Sequence, residues 1–340
     1  MTAQTRPSNA VHTSRANLPF TGITSFLRAP VLGPDDDVQA DLVVLGAPTD
    51  EGSPFMPGSR FGPRSIREHS LRFVTGEAGY FDPASGRRHL RDEMLHGRIV
   101  DIGDADVIPT NVSGTFDNIT ALTARALSSG AVPVVLGGDH AITFPVVRAY
   151  CEPLHVVHFD AHLDYMPFVH GVSMTNAHAF RHVAHMGHVQ SLVQVGIRSL
   201  RTTETMWRDT HADGNTVVTM AEFRRRGPDS LAARIPEGAC IYISLDIDVL
   251  DLPLVPGCVS AEPCGMTYEE LRDALVALTQ RTRVVGFDLV EVNPQLDVGT
   301  GVTSYLAAHT IVEFLGHLCD SAHWKEMRTG DFSDPPAEAR

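Results

Sequence analysis

Eight short apolar runs, mostly β-branched and separated by longer helix-forming stretches, constrain this 340-residue chain more than any other feature. They cover 41–47, 98–102, 132–136, 155–159, 193–197, 216–218, 241–245 and 284–289. A strand with one wet face alternates apolar and polar residues, whereas a nearly continuous apolar run suits a strand buried on both faces. Between the runs the spacing predicts helices over 115–129, 141–150, 267–280 and 304–319. Thr267 and Glu270 form a capping box for the third, because each side chain can satisfy a backbone donor at the helix start. This alternation implies an α/β fold with a mostly parallel sheet and helices on both faces, which places ligands just beyond the carboxyl ends of the strands. No Pro/Ser/Gly-rich linker interrupts it. The expected organisation is an N-terminal tail over 1–25, a single domain over 26–327 and a C-terminal tail over 328–340.

Three of the runs end in metal-ligand residue types. The run 132–136 continues into Gly137-Gly138-Asp139-His140, 155–159 into Asp160-Ala161-His162-Leu163-Asp164, and 241–245 into Asp246-Ile247-Asp248, followed by Asp251. Carboxylates converging at a poorly solvated sheet edge repel one another and hold protons above their usual range unless a cation neutralises them. With His140, Asp160, His162, Asp164, Asp246 and Asp248 as ligands, four carboxylates balance two divalent metals and two neutral imidazoles complete the set. Mixed oxygen and nitrogen donors suit Mn²⁺ first, with Ni²⁺ the alternative, and the absence of cysteine from the three motifs disfavours zinc.

Other features narrow the class. A net charge of −14 argues against a nucleic-acid partner, since phosphate binding needs a basic surface, and it suits a cationic small molecule. No run reaches membrane-spanning length. The five cysteines (Cys151, Cys240, Cys258, Cys264, Cys319) form no C-x-x-C pair, so the expected compartment is the reducing cytoplasm. Cys258 and Cys264, as thiols without a paired base, read as packing residues. The histidines His178, His182, His185 and His188 fall at helical spacing and read as a solvated or interface helix.

The motifs resemble those of the ureohydrolase family: arginase, agmatinase, guanidinobutyrase and relatives. G-G-D-H stands at Gly137–His140, D-A-H-x-D at Asp160–Asp164 and S-x-D-x-D-x-x-D at Ser244–Asp251. Gly46-Ala47-Pro48-Thr49-Asp50 and the segment from Pro57 to Arg67 look like the agmatinase branch, and Asp288-Leu289-Val290-Glu291-Val292-Asn293-Pro294 like the family's strand with its substrate-binding glutamate. The resemblance implies a three-layer α/β/α sandwich around an eight-stranded sheet. It assigns His140, Asp160, Asp164 and Asp246 to one metal and Asp160, His162, Asp246 and Asp248 to the other. It also implies that Asp164 and Asp248 orient an activated water, that Glu291 pairs with a guanidinium and that His170 shuttles a proton to the leaving amine. The implied reaction is amidinohydrolysis of an agmatine-like compound to an amine and urea. Guanidinobutyrate, guanidine, an alkylguanidine or a biguanide with nickel is the alternative, and a deacetylase on the same fold the second. The expected assembly is a homotrimer or homohexamer, with a hetero-oligomer as the alternative. The chain departs from the family pattern at Met56, Cys258, Val259 and Cys264, none of which is a ligand position. The segment 165–176 carries no basic residue suited to a substrate carboxylate.

Overall fold

The computed structural model describes residues 18–74 and 77–328; most of the expected N-terminal tail and residues 329–340 of the C-terminal one lie outside these. Ten strands occur in the described chain. They are β1 (Leu42–Ala47), β2 (Tyr80–Asp82), β3 (Arg87–His89), β4 (Ile99–Asp104), β5 (Val132–Gly137), β6 (Leu154–Phe159), β7 (Val189–Ile197), β8 (Thr216–Thr219), β9 (Cys240–Asp246) and β10 (Arg283–Val290). Eight of them build one sheet in the order β4-β1-β5-β10-β9-β6-β7-β8, and every pairing in it is parallel. All eight expected runs are in this sheet. The remaining two, β2 and β3, form a small antiparallel hairpin that the sequence reading did not anticipate.

Alternation along each strand explains the three layers. Val132, Val134 and Leu136 of β5, with Ile241, Ile243 and Leu245 of β9, enter one core, whereas Val135 and Tyr242 enter the other. Each fully buried Leu or Ile contributes about 1.5–3 kcal/mol relative to exposure, so both faces need their helical cover. The helix Val302–Asp320 places Ala308, Ile311 and Leu315 in the first core, and Val112–Ser128 places Phe116 and Ile119 in the second. The helix Tyr268–Arg281 starts with the expected capping box of Thr267 and Glu270. The stretch expected as one helix over 141–150 is shorter. It begins as a 3-10 turn at His140–Ile142 and ends as a helix at Val147. The histidine helix is also shorter, running only Ala179–Ala184, with His188 just before β7. No helix among the described residues is long and apolar enough to cross a membrane.

Candidate metal centre and cavity

The strands that carry the motifs, β5, β10, β9 and β6, are four consecutive members of the sheet. Chain order and sheet order diverge here, because β9 and β10 insert between β5 and β6, and such reversals leave a crevice at the carboxyl ends. The two glycines of Gly137-Gly138 make the first motif possible. A Cβ on Gly138 would stand 1.8 Å from the Thr49 carbonyl oxygen, and one on Gly137 would stand 2.4 Å from Val290 Cγ1. Asp139 N–H donates to the Thr49 carbonyl and Glu291 N–H to the Gly138 carbonyl, both at 2.8 Å. This turn therefore locks His140 and Glu291 together.

All six expected ligands converge. His140 Nδ1 lies 3.0 Å from Asp160 Oδ2, 3.3 Å from Asp164 Oδ2 and 3.2 Å from Asp246 Oδ2. His162 Nδ1 lies 3.1 Å from Asp160 Oδ1 and 3.2 Å from Asp248 Oδ2. Asp160 thus faces both histidines. Among the described residues Asp248 Oδ2 is buried and, apart from its approach to His162 Nδ1, has no hydrogen-bond partner, which suits a ligand atom. The donor set fits divalent metals on this observation as well as on its charge. Asp251, the last acid of its motif, plays another part and accepts the Gly265 N–H at 2.9 Å.

A second polar row supports the first. His158, Ser244 and Asp288 stand side by side on β6, β9 and β10, with His158 paired to Ser244 and Ser244 to Asp288 in the strand register. His140 Nε2 meets Ser244 Oγ at 2.9 Å, and Ser244 Oγ donates to Asp288 Oδ1 at 2.7 Å. This chain engages Nε2–H on Ser244 and turns Nδ1 toward the carboxylates, where it would offer its lone pair once a cation is bound. His158 works likewise. Its Nδ1 receives the Gln194 amide at 3.0 Å, so its Nε2–H points at Asp160 Oδ2, 2.8 Å away. His158 was not among the expected site residues. Its signal was a polar residue two positions before Asp160 in an apolar strand, which period-two geometry puts on the ligand's face.

The electrostatics reflect the crowding. Burial, then the charge of Asp160, pushes Asp164 up to about 6. Burial, then Asp248 and Asp160, pushes Asp246 well above the usual carboxylate range. Burial alone would raise Asp160 as well, but the surrounding histidines outweigh it and hold Asp160 well below its ordinary value. Burial opposes a charge on His162, yet Asp248 and Asp160 push it up to about 12. Burial takes His158 down to about 4, so it stays a neutral donor. Without cations the cluster must share protons; with them, it need not.

A cavity of about 290 Å³ opens over this floor. His162, Asp164, Asp246 and Glu291 line its deep end, and Pro54, Phe55, Met166, Met206 and Val259 line its walls. Glu291 is buried; its Oε1 accepts the His140 N–H at 3.0 Å and the Asn176 amide at 3.4 Å. Burial, then the charge of Asp139, raises it to about 8. Asp164 and Glu291 both adopt left-handed backbone, with φ of 46° and 64°. That conformation costs about 1–2 kcal/mol for a residue with a Cβ, and strain of this kind gathers at functional sites.

Several expectations meet a different placement, among them Cys264, which reads as a packing residue in the sequence and is exposed. His170 is exposed at the tip of the turn that links Val169 to Val172 and does not line the cavity. Cys258, read as a packing residue, does pack in the core, but its Sγ also lies within 4.8 Å of carboxylate oxygens of Asp246 and Asp248. Of the second histidine group, His182 stacks on Phe144 at 4.2 Å between centroids and donates to or accepts from nothing at the metal floor. It is a packing residue.

The comparisons agree with this geometry. Residues 40–316 match the model of the arginase family. The chain is 32% identical over 302 residues to the human mitochondrial guanidino acid hydrolase, covering 86% of this chain and 82% of that one. It is 32% identical over 272 residues to the agmatinase of Pyrococcus horikoshii, covering 79% and 90%. The solved structure of the proclavaminate amidinohydrolase of Streptomyces clavuligerus superposes with a TM-score of 0.78 at 30% identity, covering 88% of this chain and 98% of that one. The eight-stranded parallel sheet, the motifs at its central strand ends and these likenesses lead to one conclusion: the chain is a hydrolase that belongs to the arginase family, in the agmatinase-like branch of the ureohydrolases.

Proposed function

We propose that this chain hydrolyses the bond between the guanidinium carbon and the substituted nitrogen of a small, agmatine-like guanidino compound, releasing urea and an amine, at a centre of two divalent cations. The observation that carries the reading is Asp160, which faces His140 at 3.0 Å through one oxygen and His162 at 3.1 Å through the other. His140, Asp160, Asp164 and Asp246 would hold one cation, and Asp160, His162, Asp246 and Asp248 the other. Their oxygen-rich character suits Mn²⁺, with Ni²⁺ the alternative. When bound, such a pair lowers the pKa of a shared water and supplies a nucleophile at neutral pH.

The protein's own groups do the rest. Glu291 would accept two guanidinium N–H groups, a geometry carboxylates favour, and the cation would offset the burial that now raises its pKa. Asp164 and Asp248 would orient the attacking oxygen toward the guanidinium carbon. As the new C–O bond forms and the C–N bond breaks, the leaving nitrogen needs a proton. His170 would carry it, which requires the Val169–Val172 turn to fold over the cavity; catalytic contacts often tighten only with substrate bound. The apolar walls would exclude bulk water. The relatives' names include guanidino acids as well as agmatine, so the guanidinium is the common element. The test is urea release by the purified chain over a panel of guanidino compounds, after loading with Mn²⁺ and separately with Ni²⁺. Urea from at least one compound is expected. None with either metal would defeat the reading.

A further inference from the structure

Arg201 is the one basic side chain besides His162 that lines the cavity among the described residues. It enters from the segment that follows β7, not from 165–176, where the sequence shows no suitable cation. Its Nε and Nη2 are occupied. Nε donates to Glu262 Oε1 at 3.3 Å, and Nη2 reaches Ser260 O at 3.0 Å, Glu262 Oε1 at 3.2 Å and His162 Nε2 at 2.6 Å. Nη1 has no hydrogen-bond partner among the described residues, and the side chain is 59% exposed. Glu262 sits behind it. That carboxylate is 19% exposed, also accepts the Ser199 hydroxyl at 2.8 Å and does not line the cavity. The ion pair therefore turns its positive pole to the cavity.

The charge of the whole site sharpens the point. On the proposed reading, two divalent cations balance Asp160, Asp164, Asp246 and Asp248, and the substrate guanidinium balances Glu291. No carboxylate side chain named at the deep end is then left unbalanced, and Arg201, with Glu262 behind it, presents its positive edge to the substrate's far end. No carboxylate lines the cavity outside the deep end. An ammonium there would meet a like charge and find no anionic acceptor. A carboxylate would meet the unpartnered Nη1–H groups of the guanidinium, a charge-assisted donor. Between the two poles, Pro54, Phe55, Met166 and Met206 supply an apolar path suited to methylenes. Because Arg201 touches His162 itself, the arm that spans the poles is short.

We propose that Arg201 is a specificity-determining residue that selects short aliphatic ω-guanidino acids over their amine counterparts, moving the substrate expectation from agmatine to its carboxylate analogues. This rests on the hydrolytic reading for turnover but not for binding. The experiment uses the full metal-loaded chain with 4-guanidinobutyrate, agmatine and the neutral butylguanidine, measuring kcat and KM by urea release and Kd by calorimetry. The acid is expected to exceed agmatine in kcat/KM by about tenfold or more. Arg201→Ala should lower the ratio of acid to butylguanidine by roughly 10- to 100-fold, chiefly through KM, the range of a hydrogen bond to a charged group. Arg201→Lys should restore part of the ratio. Elemental analysis should find metal content in both variants equal to the parent, which separates substrate choice from support of His162. Agmatine equal to or better than the acid, or an Arg201→Ala loss shared equally by all three compounds, would overturn the proposal. Acid that binds more tightly than agmatine in an Arg201-dependent way, yet yields no urea, would uphold it and defeat the hydrolytic reading instead. Failure of the acid to bind more tightly than agmatine would overturn it whatever the turnover.

Discussion

At the floor of the cavity, His140, Asp160, Asp246 and Asp248 are almost wholly buried and stand at strand ends, each contacted by further polar groups. At its mouth Phe55 and Arg201 stand exposed on connecting segments, and His170 is exposed on a turn outside the cavity lining. The floor is positioned by the strand register, in which Asp160 and Asp246 lie directly above His158 and Ser244 on neighbouring strands. The mouth is positioned by turns that the register does not control. Chemistry common to a family can reside in the first kind of structure, while choice of substrate can vary in the second without disturbing it.

The comparison breaks most visibly if the floor can lose a member and keep its cations. Asp160→Ala should abolish metal retention and urea release together, because its two oxygens face both histidines. Elemental analysis beside the urea assay checks this, and retained metal would erase the distinction. The mouth should behave oppositely. His170→Ala is expected to keep a full metal complement while losing about 10²–10⁴ in kcat, the usual contribution of a positioned proton donor. Unchanged turnover would remove His170 from the mechanism, and lost metal would move it to the floor.

The floor was largely legible in the sequence and the mouth largely was not. His140, Asp160, His162, Asp164, Asp246 and Asp248 follow apolar runs directly, so strand periodicity and topology bring them to one edge. Glu291 follows its strand in the same way. His158 and Ser244 obey the same period-two rule, although their partners across the sheet become visible only once β9 is known to lie between β6 and β10. Arg201 and Cys258 carry no such periodic signal. Arg201 reaches the cavity because its segment folds back over His162 and Ser260, and Cys258 reaches Asp246 and Asp248 because Cys258 N–H closes a turn on the Val255 carbonyl. Likewise, the hairpin of β2 and β3 is only three residues per strand, too short for alternation to register.

Smaller effects sharpen the account of the floor. His158→Gln should weaken metal binding by roughly 10- to 100-fold, the range for a partner that orients a ligand, and calorimetric titration with Mn²⁺ measures it. An unaltered affinity would show that Asp160 needs no such support. The smallest effect is one of pH on the metal-free protein. Asp164, Asp139 and Glu291 are raised, mainly by burial, to about 6, 7 and 8. Folded chains then hold protons that unfolded chains release. This contribution is complete below the ordinary carboxylate range and is lost as pH rises through about 6 to 8. Tm of the metal-free protein should therefore fall between about pH 5 and pH 8, and Mn²⁺ should reduce the fall by taking the place of the Asp164 proton and favouring the charged forms of Asp139 and Glu291 nearby.

The most direct test is the number and place of the cations. Crystals of the Mn²⁺-loaded chain, measured at the manganese absorption edge, should show two ions per chain, one on His140 Nδ1 and one on His162 Nδ1, with Asp160 touching both. A single ion, or a pair bound away from these two nitrogens, would contradict the account.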